Sequence, residues 1–131
     1  HDLGKSQISS KIINKNGKLT KGEFDEIKKH PALGVKIAKE TRDISNVSLA
    51  IIGQHHEKVT GRGYPLGLDE KKLSIYSKMA SIVDVYDALT TNRSYSRART
   101  PMEAAQILIS EREEFDKDIL NSFIKMLAVK Q

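Results

Sequence analysis

The chain has 131 residues, 38% of them hydrophobic and 30% charged, the size and balance of one soluble globular domain. It contains no cysteine, which excludes disulfides, zinc ribbons and thiolate clusters, and no apolar run approaches the roughly 20 residues that span a bilayer. The net charge of +5 suits an anionic partner, but no block of like charges stands out, so the lysines read equally well as solvated helix faces.

Taken in chain order, the pattern is helical almost throughout. Thr20-Lys21-Gly22-Glu23 has the form of a capping box, with Thr20 as N-cap and Glu23 reaching back. The helix it starts is expected to end near His30, because Pro31 disfavours helical geometry in the residue before it. Pro31 then suits the first turn of a second helix carrying Leu33, Ile37 and Ala38. Val47, Ala50, Ile51 and Gln54 recur at helical spacing and place His55 on or beside a buried stripe.

From Lys58 to about Lys72 the periodicity fails. Gly61, Gly63, Gly67 and Pro65 mark a long loop. A helix from about Leu73 to Thr90 follows, with Ile75, Met79, Ile82, Val83 and Tyr86 expected along one packed side. Thr100-Pro101-Met102-Glu103 is a second capping box with proline at the first helical position. Asp116 is placed to cap a last helix that turns Ile119, Leu120, Phe123, Ile124 and Leu127 inward. No segment alternates with period two for long enough to argue a sheet, and there is no internal repeat. The expectation is an all-α bundle of about five or six helices in one domain.

The chemistry concentrates in four histidines, His1, His30, His55 and His56. Each sits beside another functional group: His1-Asp2, His30-Pro31 and His55-His56-Glu57. Neutral imidazole is the commonest protein ligand for transition metals. Adjacent imidazoles cannot both face the core of one regular helix, so His55 and His56 are expected where a helix unwinds. Glu57 reads either as an acceptor that orients one imidazole or as a solvated side chain. Asp84 and Asp87 are spaced (i, i+3) on one face of an otherwise apolar helix, where a carboxylate is costly unless it is paired or holds a metal.

These phrases, in this order, resemble the signature of the HD-GYP family, a branch of the HD-domain metal-dependent phosphohydrolases. His1-Asp2, His55-His56-Glu57 and Gly63-Tyr64-Pro65 carry the likeness. Gly17-Lys18-Leu19-Thr20, Lys29-His30-Pro31, Asp84-Val85-Tyr86-Asp87-Ala88-Leu89-Thr90, Arg93-Ser94-Tyr95 and Phe115-Asp116 extend it over nearly the whole chain. The resemblance implies an HD-type helical bundle, with residues 1–131 forming an HD-GYP domain that lacks the helices usually found upstream.

By the same resemblance the metal ligands are His1, Asp2, His30, His55, His56 and Asp84, with Asp2 bridging two metals and Asp87 in reserve. Two divalent ions are implied, iron or manganese by the family's habit. Zinc, nickel and cobalt are also compatible with a nitrogen and oxygen donor set. Asp2 and Lys5 are the implied catalytic residues, and Lys5, Arg93 and Tyr64 the implied substrate contacts. Lysine supplies a point charge to phosphate, and arginine a bidentate grip.

The implied activity is hydrolysis of cyclic di-GMP to linear pGpG, and on to GMP, in bacterial second-messenger signalling in the cytoplasm. Implied partners are diguanylate cyclase (GGDEF) domains, docking through the Gly63-Tyr64-Pro65 loop, and an upstream sensor or receiver domain. Nothing in the residues themselves selects cyclic di-GMP over another phosphodiester. The chain departs from the family pattern at Thr60, where Asp is usual, at Ser6, and at Ser9-Ser10, where Pro is usual. The alternative implied by these departures is a catalytically weak regulatory module that acts by protein–protein contact.

Overall fold

The computed structural model describes residues 1–41, 43–92 and 97–129. The elements run in the order of a short 3-10 helix (Leu3–Gln7), α1 (Ser10–Ile13), α2 (Lys21–Ile27), α3 (His30–Glu40), α4 (Asn46–Gln54), α5 (Ile75–Thr90), α6 (Pro101–Ser110) and α7 (Lys117–Val129), with two further 3-10 turns. Six of these helices exceed a single turn, and the described residues contain no strand. No helix among them is long and apolar enough to cross a membrane.

Local chemistry sets most of the boundaries. Both expected capping boxes form: Thr20 and Thr100 accept from Glu23 N and Glu103 N, and each glutamate returns a bond to its threonine's amide. Ser45 and Ser74 cap α4 and α5 in the same way, each accepting an amide three residues on. The Asp116 carboxylate accepts from Asp118 N and Ile119 N at the start of α7. Lys78 binds the same carboxylate at 3.0 Å, tying α7 to α5.

One boundary departs from expectation. α2 stops at Ile27, and His30 is the first residue of α3 rather than the last of α2. The chain turns at Lys28 and Lys29 instead. Pro31 needs no amide partner in the first turn, so the helix break moves upstream and His30 enters α3.

The core lies where α5, α6 and α7 meet: Ile82, Leu108, Phe115 and Leu120 are buried, with Tyr86 edge-on to Phe123. Ile119, Phe123, Ile124 and Leu127 are half-buried beside Leu120, as the sequence suggests. The expected α5 stripe needs correction. Ile82 is buried, but Ile75, Met79 and Val83 are exposed. The described bundle covers α5 on the side carrying Ser77, Ser81 and Ile82, because α4 packs there through a Ser77-to-Gln54 hydrogen bond of 2.7 Å.

A second packing point positions the chain start. Gly4 lies against α3 so closely that a Cβ on it would fall 1.8 Å from the His30 carbonyl oxygen and 2.5 Å from the Gly34 amide. Only glycine permits this backbone-on-backbone contact. It sets His1 and Asp2 beside the start of α3.

Candidate metal centre

Four separate segments deliver the candidate ligands. His1 and Asp2 precede the first 3-10 helix, and His30 opens α3. His55 and His56 follow the last turn of α4, and Asp84 projects from the middle of α5. His55 is the C-cap of α4, still in helical backbone geometry, and the helix ends there. The adjacent imidazoles therefore converge, with ring centroids 4.2 Å apart. Both rings lie close to His30, at 5.2 and 5.1 Å.

The side chains form two overlapping groups. Asp2, His30, His55 and His56 each offer a donor atom within 4.8 Å of the others, as do His1, His55 and Asp84. His1 Nε2 is 3.1 Å from Asp84 Oδ1 and 3.7 Å from Asp2 Oδ2. His56 Nδ1 is 3.7 Å from Asp84 Oδ2. The structure thus gathers all six residues that the resemblance implied. Asp87 is exposed and belongs to neither group. Arg93 lies outside the described residues.

The chemistry of the buried end fits a cation. His30 Nδ1 faces the Ile27 carbonyl at 2.7 Å. His55 Nδ1 faces the carbonyls of Ile51 and Ile52 at 3.1 and 3.0 Å. Carbonyls only accept, so these nitrogens carry the protons and both Nε2 atoms present lone pairs. Those two Nε2 atoms face each other at 3.1 Å. Asp2 Oδ1 lies 3.4 Å from one and 3.8 Å from the other, buried and without a hydrogen-bond partner among the described residues. Three acceptors converge with no proton between them. Leaving them unpaired is expensive, and a divalent ion would satisfy all three.

Electrostatics prepare the ligands in the required charge states. Burial lowers the pKa of His30 and of His55. Burial and the neighbouring imidazoles lower that of His56 to about 3. All three are therefore neutral, as ligation requires. Burial alone would raise the Asp2 carboxyl, but the Lys5 hydrogen bond and charge outweigh it and hold it below the usual range. Lys5 Nζ donates to Asp2 Oδ2 at 2.7 Å, leaving Oδ1 to face the histidines.

Glu57 needs correction on both readings. It neither orients an imidazole nor faces solvent. The side chain is 1% exposed, and its oxygens accept from Leu66 N at 2.7 Å and Leu68 N at 2.9 Å. It fastens the glycine-rich loop from beneath. The imidazoles are oriented by main-chain carbonyls instead, for which a sequence carries no signal. The loop folds back so that Tyr64 N donates to the His56 carbonyl and its ring stacks on His56 at 4.7 Å. Burial raises the Tyr64 hydroxyl pKa. Thr60 donates to Glu114 Oε2 at 3.0 Å, and Arg62 binds the other oxygen. Glu114 therefore anchors the loop at the position where the family pattern has Asp.

Fold and site together define an all-helical domain built around a thiol-free histidine–aspartate cluster that could hold metal. The profile of the HD domain family matches residues 1–119, and the chain belongs to that family. It is 33% identical over 129 residues to the cyclic di-GMP phosphodiesterase PA4108 of Pseudomonas aeruginosa, covering 98% of this chain and 31% of that protein. It is 32% identical to the cyclic di-GMP phosphodiesterase response regulator RpfG of Xanthomonas campestris, covering 95% and 34%. It is also 32% identical to a 3'3'-cGAMP-specific phosphodiesterase of Vibrio cholerae, covering 85% and 24%. The chain thus spans about a third of the length of these relatives or less. The solved structure of Bd1817, an HD-GYP-type protein from Bdellovibrio bacteriovorus, shares the fold, with a TM-score of 0.75 at 23% identity over 98% of this chain and 40% of that one.

Proposed function

We propose that this domain is a metal-dependent phosphodiesterase that hydrolyses cyclic di-GMP to pGpG and on to GMP. The observation that carries the reading is the convergence of His30 Nε2, His55 Nε2 and the orphaned Asp2 Oδ1. His1, Asp2, His30, His55, His56 and Asp84 would hold two divalent ions, iron or manganese in the first instance. Such ions lower the pKa of bound water and clamp phosphate oxygens. Around them, Lys5 keeps Asp2 ionised and sets an ammonium at the rim, where negative charge on a phosphate develops. Arg93 is proposed as a second phosphate contact. Tyr64 walls the site against His56 and narrows access for water. The names of the relatives support a cyclic dinucleotide as substrate, and a cytoplasmic site of action is proposed on that basis.

The test is elemental analysis of anaerobically purified protein, paired with cyclic di-GMP turnover and the His55→Ala variant. About two Fe or Mn per chain, turnover to pGpG, and loss of both in the variant are expected. A folded protein that binds no divalent metal would sink the reading.

A docking role for the same loop is favoured by a separate feature. Lys28, Lys29 and Lys36 flank an apolar groove beside Tyr64 and Pro65, and Leu66 projects into solvent. Diguanylate cyclase domains are the proposed partners there, and a sensor or receiver domain elsewhere in the longer protein would set the activity. Loss of co-sedimentation with such a cyclase domain on Leu66→Asp is the expected result.

A further inference from the structure

Beside the metal centre, a pocket of about 650 Å³ runs from His56 past Phe24, Lys58 and Arg62 to Glu111 and Glu114. Its size suits a nucleotide. Its two acids are not equivalent. Both oxygens of Glu114 are taken by Thr60 and Arg62. The Glu111 carboxylate makes no hydrogen bond among the described residues, and its charge acts on Lys58. Lys58 is itself held over the Phe115 ring at 4.2 Å.

An aromatic series joins this pocket to the cluster. Tyr64 stacks on His56 at 4.7 Å, and Phe24 stands edge-on to Tyr64 at 6.3 Å. Phe24 remains 42% exposed, although burial is the norm for such a side chain, and Lys28, which also lines the pocket, holds its Nζ over one face of the ring at 4.7 Å. An exposed ring at the mouth of a polar pocket is a stacking platform for a nucleobase.

We propose that this pocket is a guanine subsite: Phe24, with Lys28 over one face, offers the other face to the base, and Glu111 accepts from guanine N1–H and N2–H. This rests on reading the centre as a cyclic dinucleotide site. A carboxylate distinguishes the purines because guanine presents adjacent donors on its Watson–Crick edge. Adenine presents an acceptor at N1, which Glu111 would repel. Discrimination of about tenfold to a hundredfold is the usual yield of one such bidentate pair.

The experiment is calorimetric titration of the Mn²⁺-loaded chain with GMP and AMP, then with cyclic di-GMP and cyclic di-AMP. Within each pair the phosphates are the same, so any difference belongs to the base. The guanine ligand is expected to bind at least about tenfold more tightly, and Glu111→Ala to reduce that ratio to about twofold or less. Glu111→Gln keeps the side chain's size, so it preserves the test if the alanine variant misfolds. Its amide both donates and accepts, and should move the preference toward adenine. Phe24→Ala should weaken both purines alike.

Equal binding of the two purines by the parent, no binding of either, or a preference that survives Glu111→Ala or Glu111→Gln would overturn the assignment. Turnover of bis(p-nitrophenyl) phosphate, which has no base, is measured in parallel. Guanine preference without that turnover would sink the hydrolase reading alone. Turnover without guanine preference would sink the subsite alone.

Discussion

The Nε2 atoms of His30 and His55 stand 3.1 Å apart while the Nδ1 atom of each is committed to a main-chain carbonyl. Two lone pairs therefore face each other in a buried space, with a carboxylate oxygen beside them. A cation that binds only the folded state stabilises it by mass action, by about 2.7 kcal/mol at a hundred times its Kd. Adding Mn²⁺ to chelator-treated protein should accordingly raise the Tm, and His55→Ala should abolish the increase. A thermal melt with and without metal checks this. An equal increase in the variant would mean that the ion binds elsewhere.

Glu57 gives a second expectation. Its two oxygens serve two loop amides, and Glu57→Gln would turn an NH₂ group toward one of them. A bond to a charged acceptor is worth about 1.5–3 kcal/mol, and a buried donor left unpaired costs more still. We expect Glu57→Gln to lower urea stability by about 2–4 kcal/mol. Metal affinity should fall less than it does on loss of a ligand, because Glu57 touches the loop and not the imidazole nitrogens. Full stability in the variant would show that the loop does not depend on this latch.

Gly4 predicts a steric failure at the opposite edge of the site. A methyl group there meets the His30 carbonyl and the Gly34 amide, both main-chain atoms that cannot rotate away. Gly4→Ala should push the His1-Asp2 segment off α3, costing about 3 kcal/mol as overpacking and removing Asp2 from the cluster. The α5–α7 core lies elsewhere, so far-UV circular dichroism should still report a helical protein while Mn²⁺ affinity collapses. Retained affinity would contradict the placement of Asp2.

Acid should destabilise the metal-free protein, beginning well above the carboxylate range. Burial depresses the pKa of His30, His55 and His56 in the folded state. As pH falls through about 6.5, the unfolded chain takes up protons that the folded chain refuses, and stability falls. For His56 the fall continues until about pH 3, where the folded state also protonates. The limiting slope is about 1.4 kcal/mol per pH unit for each group. Asp2, whose carboxyl is held low, adds a loss of the same sign below about pH 3.8. Urea midpoints between pH 7.5 and 4 in a chelator test this. A flat profile would mean that these histidines are not buried neutral.

The legible part of the candidate site was the set of residues that the fold brings together. His55-His56 ahead of a glycine-rich loop could hardly be structural, and the unwinding that lets both rings converge follows from their adjacency. What could not be read was Glu57. An acid after two histidines looks like a metal-site helper, and nothing local reveals that Leu66 N and Leu68 N return to meet it. His30 was placed one helix too early, because the proline rule concerns a single residue pair. Where the helix actually breaks depends on how α2 and α3 pack.

Residue chemistry and short-range hydrogen bonding determined what the sequence could declare: the two capping boxes, the helical order, the absence of thiol ligands and the family signature. These features are decided within a few residues. Tertiary structure alone decided which atoms meet. The close approach of Gly4 to α3, the facing Nε2 atoms, the Glu114 anchor at Thr60 and the Ser77–Gln54 bond that sets the covered side of α5 all join segments far apart in the chain. Their geometry is fixed by packing, which local periodicity does not encode.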